Sequence, residues 1–260
     1  MRDKLKIIRF LSFFIFLACV LYLGYYFYSS YQARNDLEQL QQVVEQAEAP
    51  AMEPGQEPEV EEEKYAENGM LLQYAKLYEQ NQDLVGWIKI SETKINYPVM
   101  YHNGDAEYYL HRNFEKKYQY SGLPFLDVDC DISAPSTNLI VYGHHMKDKS
   151  MFTTLLDYEE KSYWEQNRYM QFDTLYERGK YEIYAVMKTQ AGHAKEGEFQ
   201  YFDLINAKSQ EEFDSYIANV KKEAVYDTGI VPQYGEQLLT LSTCSYHVTD
   251  GRFVVFARKI

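Results

Sequence analysis

A cysteine and an arginine near the carboxyl end of the chain have the residue types and spacing for nucleophilic chemistry. Cys244 ends an apolar, β-branched segment, residues 238–243, and Arg252 follows the turn dipeptide Asp250-Gly251. If the flanking segments pair as a hairpin, the thiol and the guanidinium lie side by side. Only a thiolate is a strong nucleophile, and a nearby cation favours it. Arginine offers a fixed fork of donors that suits an oxyanion or a substrate carbonyl.

The alternative is that Cys244 is a buried structural cysteine and Arg252 a solvated charge. A catalytic cysteine also needs a partner that handles protons, and the chain has six histidines. His144 is best placed, because it follows an apolar segment, residues 138–143, at a strand end where a rigid scaffold presents a side chain. Strand alternation predicts that His145 points the other way and is exposed. His247 lies in the predicted loop after Cys244, where it could equally face solvent.

Short strands and a few helices must position these residues. Period-2 patterns and turn residues predict a mainly β domain, and a closed barrel is favoured over a sandwich. The sequence has neither the strand–helix alternation of a doubly wound sheet nor a glycine-rich phosphate loop. Predicted strands cover residues 85–90, 94–100, 122–128, 138–143, 169–175, 181–189, 236–243 and 252–258, and predicted helices cover residues 70–80, 106–110, 150–158, 161–167 and 210–224.

One acidic segment begins like a calcium-binding loop but departs from it. Residues 127–131 read Asp-Val-Asp-Cys-Asp, yet Ile132 stands where an EF-hand needs glycine and Asn138 where it needs glutamate. We therefore predict no metal site and no cofactor.

The amino-terminal residues predict a membrane anchor. Residues 1–9 carry four basic side chains, and residues 10–28 are 19 residues without a charge. About 20 apolar residues span a bilayer, and the positive-inside rule places the amino terminus in the cytoplasm and the rest of the chain outside. The run is too long for the core of a cleaved signal peptide. We expect an anchor at residues 1–30, a disordered acidic linker at 31–64, helical near residues 35–46, and an extracellular catalytic domain at 65–260.

Composition narrows the function further. The chain has a net charge of −13, and residues 31–64 hold ten acidic side chains against two basic ones. This balance argues against a nucleic-acid partner, which would require a basic face. The three cysteines, Cys19, Cys130 and Cys244, do not form the even set of a disulfide framework, so we expect Cys130 and Cys244 to be free thiols.

Several motifs together resemble the sortases of Gram-positive bacteria, whose pattern is a Thr-Leu-x-Thr-Cys strand followed by an arginine. Here residues 240–244 read Thr-Leu-Ser-Thr-Cys, Arg252 follows, and Tyr142-Gly143-His144 lies upstream. Residues 138–152, Ile95-Asn-Tyr-Pro-Val99, Tyr108-Tyr-Leu110 and the helical segment 210–224 are similar to the class B branch. The resemblance covers nearly all of residues 70–260.

The resemblance implies an eight-stranded β-barrel with an N-terminal helix and peripheral helices, and a cysteine transpeptidase activity. Cys244 would attack a threonine carbonyl in a C-terminal sorting signal, and an amine, usually of the peptidoglycan precursor, would resolve the thioacyl enzyme. His144 would act as the general acid and base, and Arg252 would hold the substrate carbonyl or the oxyanion. The family's substrate groove would include Ser242, Thr243, Tyr142 and Leu110.

Two points stay open at this level. Papain-like enzymes orient the imidazole with Asn or Asp, but Ser245-Tyr246-His247 offers no such side chain after the cysteine, and Asp250 is the nearest acid. The residue that orients His144 is therefore unassigned.

A pilin-polymerising sortase and a catalytically inactive, membrane-tethered binding barrel are the alternative functions; the absence of a second apolar run favours wall anchoring over pilin assembly.

Overall fold

The structure is a computed structural model that describes residues 2–48, 65–190 and 198–260. The chain divides into two compact units, one up to Gln42 and one from Val43 to Ile260. The helices are α1 (Arg2–Glu48), α2 (Leu72–Gln80), a first 3-10 helix (Tyr108–His111), a second 3-10 helix (Phe152–Glu159), α3 (Lys161–Gln166) and α4 (Gln210–Glu223). The strands are β1 (Leu84–Lys89), β2 (Asn96–Met100), β3 (Phe125–Leu126), β4 (Asn138–Tyr142), β5 (Tyr169–Thr174), β6 (Lys180–Gln190), β7 (Leu238–Cys244) and β8 (Gly251–Lys259).

In the described part of the larger unit, eight strands close into a barrel in the order β1-β2-β3-β4-β7-β8-β6-β5. This confirms the predicted fold class. Most neighbouring strands are antiparallel, but β2 pairs with β3 and β4 pairs with β7 in parallel. The β4–β7 pair is central to the site, because the carboxyl ends of two parallel strands leave the barrel at the same edge.

The strands β7 and β8 of the barrel are nearly continuous apolar segments, and they are buried. Every residue of β7 except Cys244 is buried, and so are residues 253–257 of β8. Sheets buried on both faces give such apolar runs rather than strict alternation. The helix α4 packs against β6, and its Tyr216 hydroxyl accepts a hydrogen bond from the Asn138 side chain of β4 at 3.4 Å.

The helix α4 begins and ends where its sequence predicts. The Ser209 side chain accepts a hydrogen bond from the Glu212 backbone N–H at 3.2 Å, which caps the amino end. Acidic residues lie in its first turn and Lys221 and Lys222 in its last, as the helix dipole favours. Its apolar stripe is Phe213, Tyr216, Ile217 and Val220, all buried.

The amino-terminal helix is longer than the predicted anchor. Residues 31–64 are predicted to be a disordered linker, but residues 31–48 continue α1. Glutamate, glutamine, leucine and alanine are good helix formers, so a segment too polar to fold into a core can still be helical. Residues 49–64 lie outside the described residues. Within the described part, α1 is long and apolar enough to cross a membrane.

The first 3-10 helix and the loop after it are held to β1 by a polar cluster. Asp83 accepts hydrogen bonds from the Tyr109 hydroxyl at 2.8 Å and from His102 Nδ1 at 3.0 Å, and Lys116 Nζ lies 2.9 Å away. The Asn81 side chain donates to the Tyr109 hydroxyl at 2.8 Å. These bonds fix a short segment that has little regular structure of its own.

Candidate active site

The strands β7 and β8 form the hairpin that the sequence predicts, and Cys244 lies directly opposite Arg252. The turn depends on Asp250-Gly251. Asp250 has φ of 53°, in the left-handed region that Asp tolerates better than most residues. A Cβ on Gly251 would lie 2.2 Å from the Ser245 carbonyl oxygen, so only glycine fits there.

The parallel pairing of β4 with β7 brings His144 to the strand end that carries Cys244. Tyr142 pairs with Ser242, and the Gly143 N–H donates to the Ser242 carbonyl at 3.1 Å. His144 and Cys244 are therefore each two residues beyond a matched pair, and they leave the barrel at the same edge. These pairings place Cys244, His144 and Arg252 at the same end of β4, β7 and β8.

Gly143 explains why the histidine follows a glycine. A Cβ at this position would lie 2.6 Å from the ring of Phe152, which is fully buried in the second 3-10 helix. The Phe152 N–H in turn donates to the His144 carbonyl at 2.9 Å. The backbone that carries the imidazole is thus packed on one side and hydrogen-bonded on the other.

The orientation of the His144 ring is fixed by a backbone group. Its Nε2 lies 2.8 Å from the Leu110 carbonyl oxygen. Because a carbonyl can only accept, Nε2 carries the proton and Nδ1 is free to exchange one. Burial lowers the pKa of His144, the bond to Leu110 partly offsets this, and the neighbouring His111 lowers the pKa further. The neutral imidazole is therefore favoured.

The prediction for His145 is wrong. It is half-buried rather than exposed, and its Nδ1 donates to the Cys244 carbonyl at 3.1 Å. The regular strand ends at Tyr142, so the alternation of side chains no longer applies two residues later. The isolated pairing of His145 with Met151 turns the chain instead. His145 thus ties the segment after β4 to the backbone of Cys244.

Arg252 is half-buried and held by its own turn. Its Nη1 donates to the carbonyls of Asp250 at 3.3 Å and Gly251 at 3.1 Å. The Ser242 hydroxyl donates to the Tyr201 hydroxyl at 3.1 Å. Burial raises the pKa of Tyr201, while Ser242 and the positive charge of Arg252 act in the opposite direction. Arg252 therefore shares the electrostatic environment of the Ser242–Tyr201 pair.

Four residues are predicted to line a substrate groove, and all four lie near this end of β4 and β7. Ser242 and Tyr142 pair across β4 and β7 on the face that carries Cys244, and Leu110 contacts His144 through its carbonyl. Ser242 and Thr243 are both almost completely buried, 1% and 2% exposed, and strand alternation directs their side chains to opposite faces of β7.

Comparison with known proteins identifies this arrangement. A family model described as "Sortase domain" matches residues 88–260. The chain belongs to the sortase family. It is 29% identical over 190 residues to a sortase B of Staphylococcus aureus, covering 72% of this chain and 75% of the relative. It is 30% identical over 186 residues to a sortase B of Listeria monocytogenes, and the match covers 71% of this chain and 72% of that relative. A Staphylococcus aureus sortase B–substrate complex superposes with a TM-score of 0.74 at 26% identity, covering 89% of this chain and 97% of that one.

The sortase is therefore a cysteine transpeptidase of class B, as the motifs predict. Its three cysteines are free, which confirms the expectation for Cys130 and Cys244. Cys130 is buried, and its thiol donates to the Asn138 carbonyl at 3.4 Å. Of the two thiols in the barrel unit, Cys130 is therefore buried and hydrogen-bonded, whereas Cys244 is partly exposed.

Some groups of the sortase site are not evident from the sequence. A backbone carbonyl, that of Leu110, orients His144, and backbone groups leave no trace in a residue pattern. Tyr201 lies in a segment without regular structure, so no periodicity marks it. Asp127, which the sequence places in an incomplete calcium loop, instead accepts a hydrogen bond from the Tyr142 hydroxyl at 2.7 Å. His111 is one histidine among six, and only its position after Leu110 could have drawn attention to it.

Proposed function

We propose that this sortase cleaves a C-terminal sorting signal after a threonine and links the surface protein to an amine of the peptidoglycan precursor. The observation that carries the proposal is the convergence of Cys244, His144 and Arg252 at one barrel edge through the β4–β7 and β7–β8 pairings. The class B relatives support the reaction type. The S. aureus sortase B solved with its substrate supports a peptide groove on this fold.

In the first step, the Cys244 sulfur attacks the threonine carbonyl carbon and the carbon–nitrogen bond breaks. The departing nitrogen needs one proton, and the thiol loses one. His144 can carry this proton from sulfur to nitrogen at Nδ1, because Nε2 is committed to the Leu110 carbonyl. General acid–base catalysis of this kind contributes roughly 10²–10⁴ in rate. The product is a thioacyl enzyme and a free peptide tail.

In the second step, the wall amine attacks the thioacyl carbon and the carbon–sulfur bond breaks. The attacking nitrogen loses a proton to neutral His144, and this proton neutralises the departing thiolate. A new amide bond forms and Cys244 returns to its thiol form. The lowered pKa of His144 suits this step, because it keeps the imidazole available as a base.

Arg252 would donate to the oxyanion that forms in both steps. The guanidinium lies across the hairpin from the nucleophile, and two backbone carbonyls already orient it. A pre-oriented donor needs no rearrangement when the charge develops. The peptide would lie along Ser242, Tyr142 and Leu110, which border the same edge.

We also propose that residues 1–30 anchor the enzyme in the membrane with the amino terminus in the cytoplasm and the barrel outside. The support is the apolar part of α1 and the basic residues before it. The barrel, residues 65–260, would be the extracellular catalytic domain. This orientation puts the active site where surface proteins and wall precursors meet.

The test is transfer activity of the full chain in detergent with a panel of sorting-signal peptides and amines. Wild-type enzyme is expected to yield the peptide–amine adduct, and without amine a thioacyl species should be detectable by mass. Cys244→Ala should abolish both products. Cys130→Ala is the matched control, since it removes a buried thiol away from the site and should retain activity.

Full transfer by Cys244→Ala would overturn the mechanism. Binding of peptides by wild-type enzyme without any thioacyl species would indicate the inactive binding barrel. Transfer only to a lysine within a pilin subunit, and not to wall amines, would indicate the pilin-polymerising alternative.

A further inference from the structure

The structure assigns to His111 a role in positioning the general acid–base His144. His111 is the last residue of the first 3-10 helix and directly follows Leu110, whose carbonyl accepts the His144 hydrogen bond. The inference rests on the proposed function of His144 in transpeptidation. It concerns how the chain holds that ring, and it names a residue outside the sortase motifs.

The two imidazoles are stacked. The ring centroids of His111 and His144 are 5.2 Å apart, and the ring planes differ by 25°. Tyr120 completes a cluster of near-parallel rings, with its centroid 6.4 Å from His144 and 5.7 Å from His111. Offset aromatic pairs at such distances contribute about 0.5–1.5 kcal/mol beyond the area that they bury. A ring held only by one hydrogen bond can swing about it, whereas stacking restricts this rotation.

The His111 ring is itself fixed. Its Nδ1 donates to the Tyr120 carbonyl at 2.9 Å, so the ring cannot turn without breaking this bond. His111 and Tyr120 therefore provide both the rings that stack on His144 and the hydrogen bond that holds the His111 ring in place. Tyr109, next to Leu110, is anchored by Asp83 and Asn81, so the support extends to the barrel wall.

The stack also has an electrostatic consequence. Two imidazolium rings in this contact repel each other, so protonation of one opposes protonation of the other. Among the described residues, the titratable rings that stack on His144 are His111 and Tyr120; His145 adjoins it in the chain, and Cys244 lies at the neighbouring end of β7. Of these, His111 is the group whose positive charge acts on His144, and it lowers the pKa of that residue.

The experiment compares His111→Ala and His111→Phe in the full chain in detergent. His111→Ala removes the stacking ring and should lower kcat about tenfold, with little change in KM for the sorting peptide, because misplacement of a catalytic group costs rate rather than binding. His111→Phe keeps a stacking ring and should recover most of kcat. It also removes the charge, so the pKa of His144, followed by NMR of labelled imidazoles, should rise.

His102→Gln is the matched control. It removes a ring that stacks on Tyr108, with centroids 3.8 Å apart, while an amide side chain can keep the hydrogen bond to Asp83, so the His144 titration should be unchanged. Unchanged kcat in His111→Ala, or an unchanged His144 titration in His111→Phe, would overturn the inference. The NMR titration needs no turnover, so it tests the stack even if transpeptidation fails. If wild-type enzyme forms no thioacyl species with any sorting-signal peptide, the proposed function is refuted instead.

Discussion

At the scale of single residues, Arg252 is where charge and geometry can be separated. Arg252→Lys keeps the positive charge but loses the planar fork that the Asp250 and Gly251 carbonyls orient. We expect kcat/KM for peptide transfer to fall about 100-fold or more, as when a donor to an oxyanion is lost. Steady-state transfer assays measure this directly.

The matched control for this substitution is Arg258→Lys. Arg258 lies near the far end of β8 and pairs with Glu182 and Glu236, each at 2.9 Å. Lysine can keep one of these ion pairs, so transfer should remain close to the wild-type rate. Near-normal turnover of Arg252→Lys would mean that the charge alone suffices at that position.

The pH dependence of the second step follows from the environment of His144. Burial lowers the pKa of this imidazole, so its neutral, basic form persists to lower pH than for an ordinary histidine. Activity that needs the base is present above the pKa and is lost as the pH falls through it. Hydrolysis of the thioacyl enzyme without amine should therefore decline only below about pH 6.5, the ordinary histidine value.

Hydrolysis is the suitable readout, because water does not titrate in this range while an amine acceptor does. The measurement is the decay of the thioacyl mass after excess peptide is removed, at a series of pH values. A rate that already halves at the ordinary histidine pKa, or above it, would contradict the lowered value.

At the scale of elements, the first 3-10 helix presents the Leu110 carbonyl, and Gly122 determines how closely the chain packs behind it. A Cβ on Gly122 would lie 2.2 Å from the Leu110 oxygen and 2.4 Å from the Tyr109 oxygen, and its φ is +52°. Gly122→Ala should displace the carbonyl that orients His144. We expect kcat to fall about 100-fold, the effect of misplacing a catalytic group by roughly 1 Å.

Gly104→Ala is the control for Gly122→Ala, because it places alanine at a positive φ without a clash against the Leu110 carbonyl. Gly104 also has a positive φ, +91°, but no atom lies within 4 Å of its Cβ position. It should lose some stability, as alanine does at positive φ, yet retain kcat. Thermal unfolding and transfer rates of both variants are compared. Equal losses of kcat would show that strain in the segment, rather than the Leu110 contact, is responsible.

The elements also show what the sequence can predict. Seven of the eight described strands and the helix α4 match the predicted segments closely, because local patterns and turn residues define them; β3 is shorter, Phe125–Leu126 against the predicted 122–128. The β7–β8 hairpin is equally local. The parallel pairing of β4 with β7 is not, since Ile140 and Thr240 are 100 residues apart in sequence. Periodicity therefore does not predict that His144 lies near Cys244; the resemblance to the sortase motifs does.

Two predictions about the site failed or fell short for the same reason. Strand alternation predicts that His145 is exposed, but the strand ends before it. Papain-like enzymes suggest an acidic or amide side chain as the orienting partner of His144, but the Leu110 carbonyl accepts its hydrogen bond. In both cases the outcome depends on how an irregular segment packs, and residue types alone do not determine that.

At the scale of the whole molecule, the proposed reaction depends on the side of the membrane that the barrel occupies. Residues 1–9 carry Arg2, Lys4, Lys6 and Arg9 before the apolar part of α1. Basic residues favour the cytoplasmic side, so the barrel should lie outside. Protease added to intact Gram-positive protoplasts that express the full chain should therefore digest the barrel, detected with an antibody against residues 65–260.

Replacing the four basic residues by glutamate tests the cause of this orientation. The charge bias would be removed, so a fraction of the chains should become protected until the protoplasts are lysed. A cytoplasmic protein of the same cells serves as the control for integrity. If the wild-type barrel resists protease until lysis, the enzyme cannot reach surface proteins, and the wall-anchoring proposal fails even though the transpeptidase chemistry would stand.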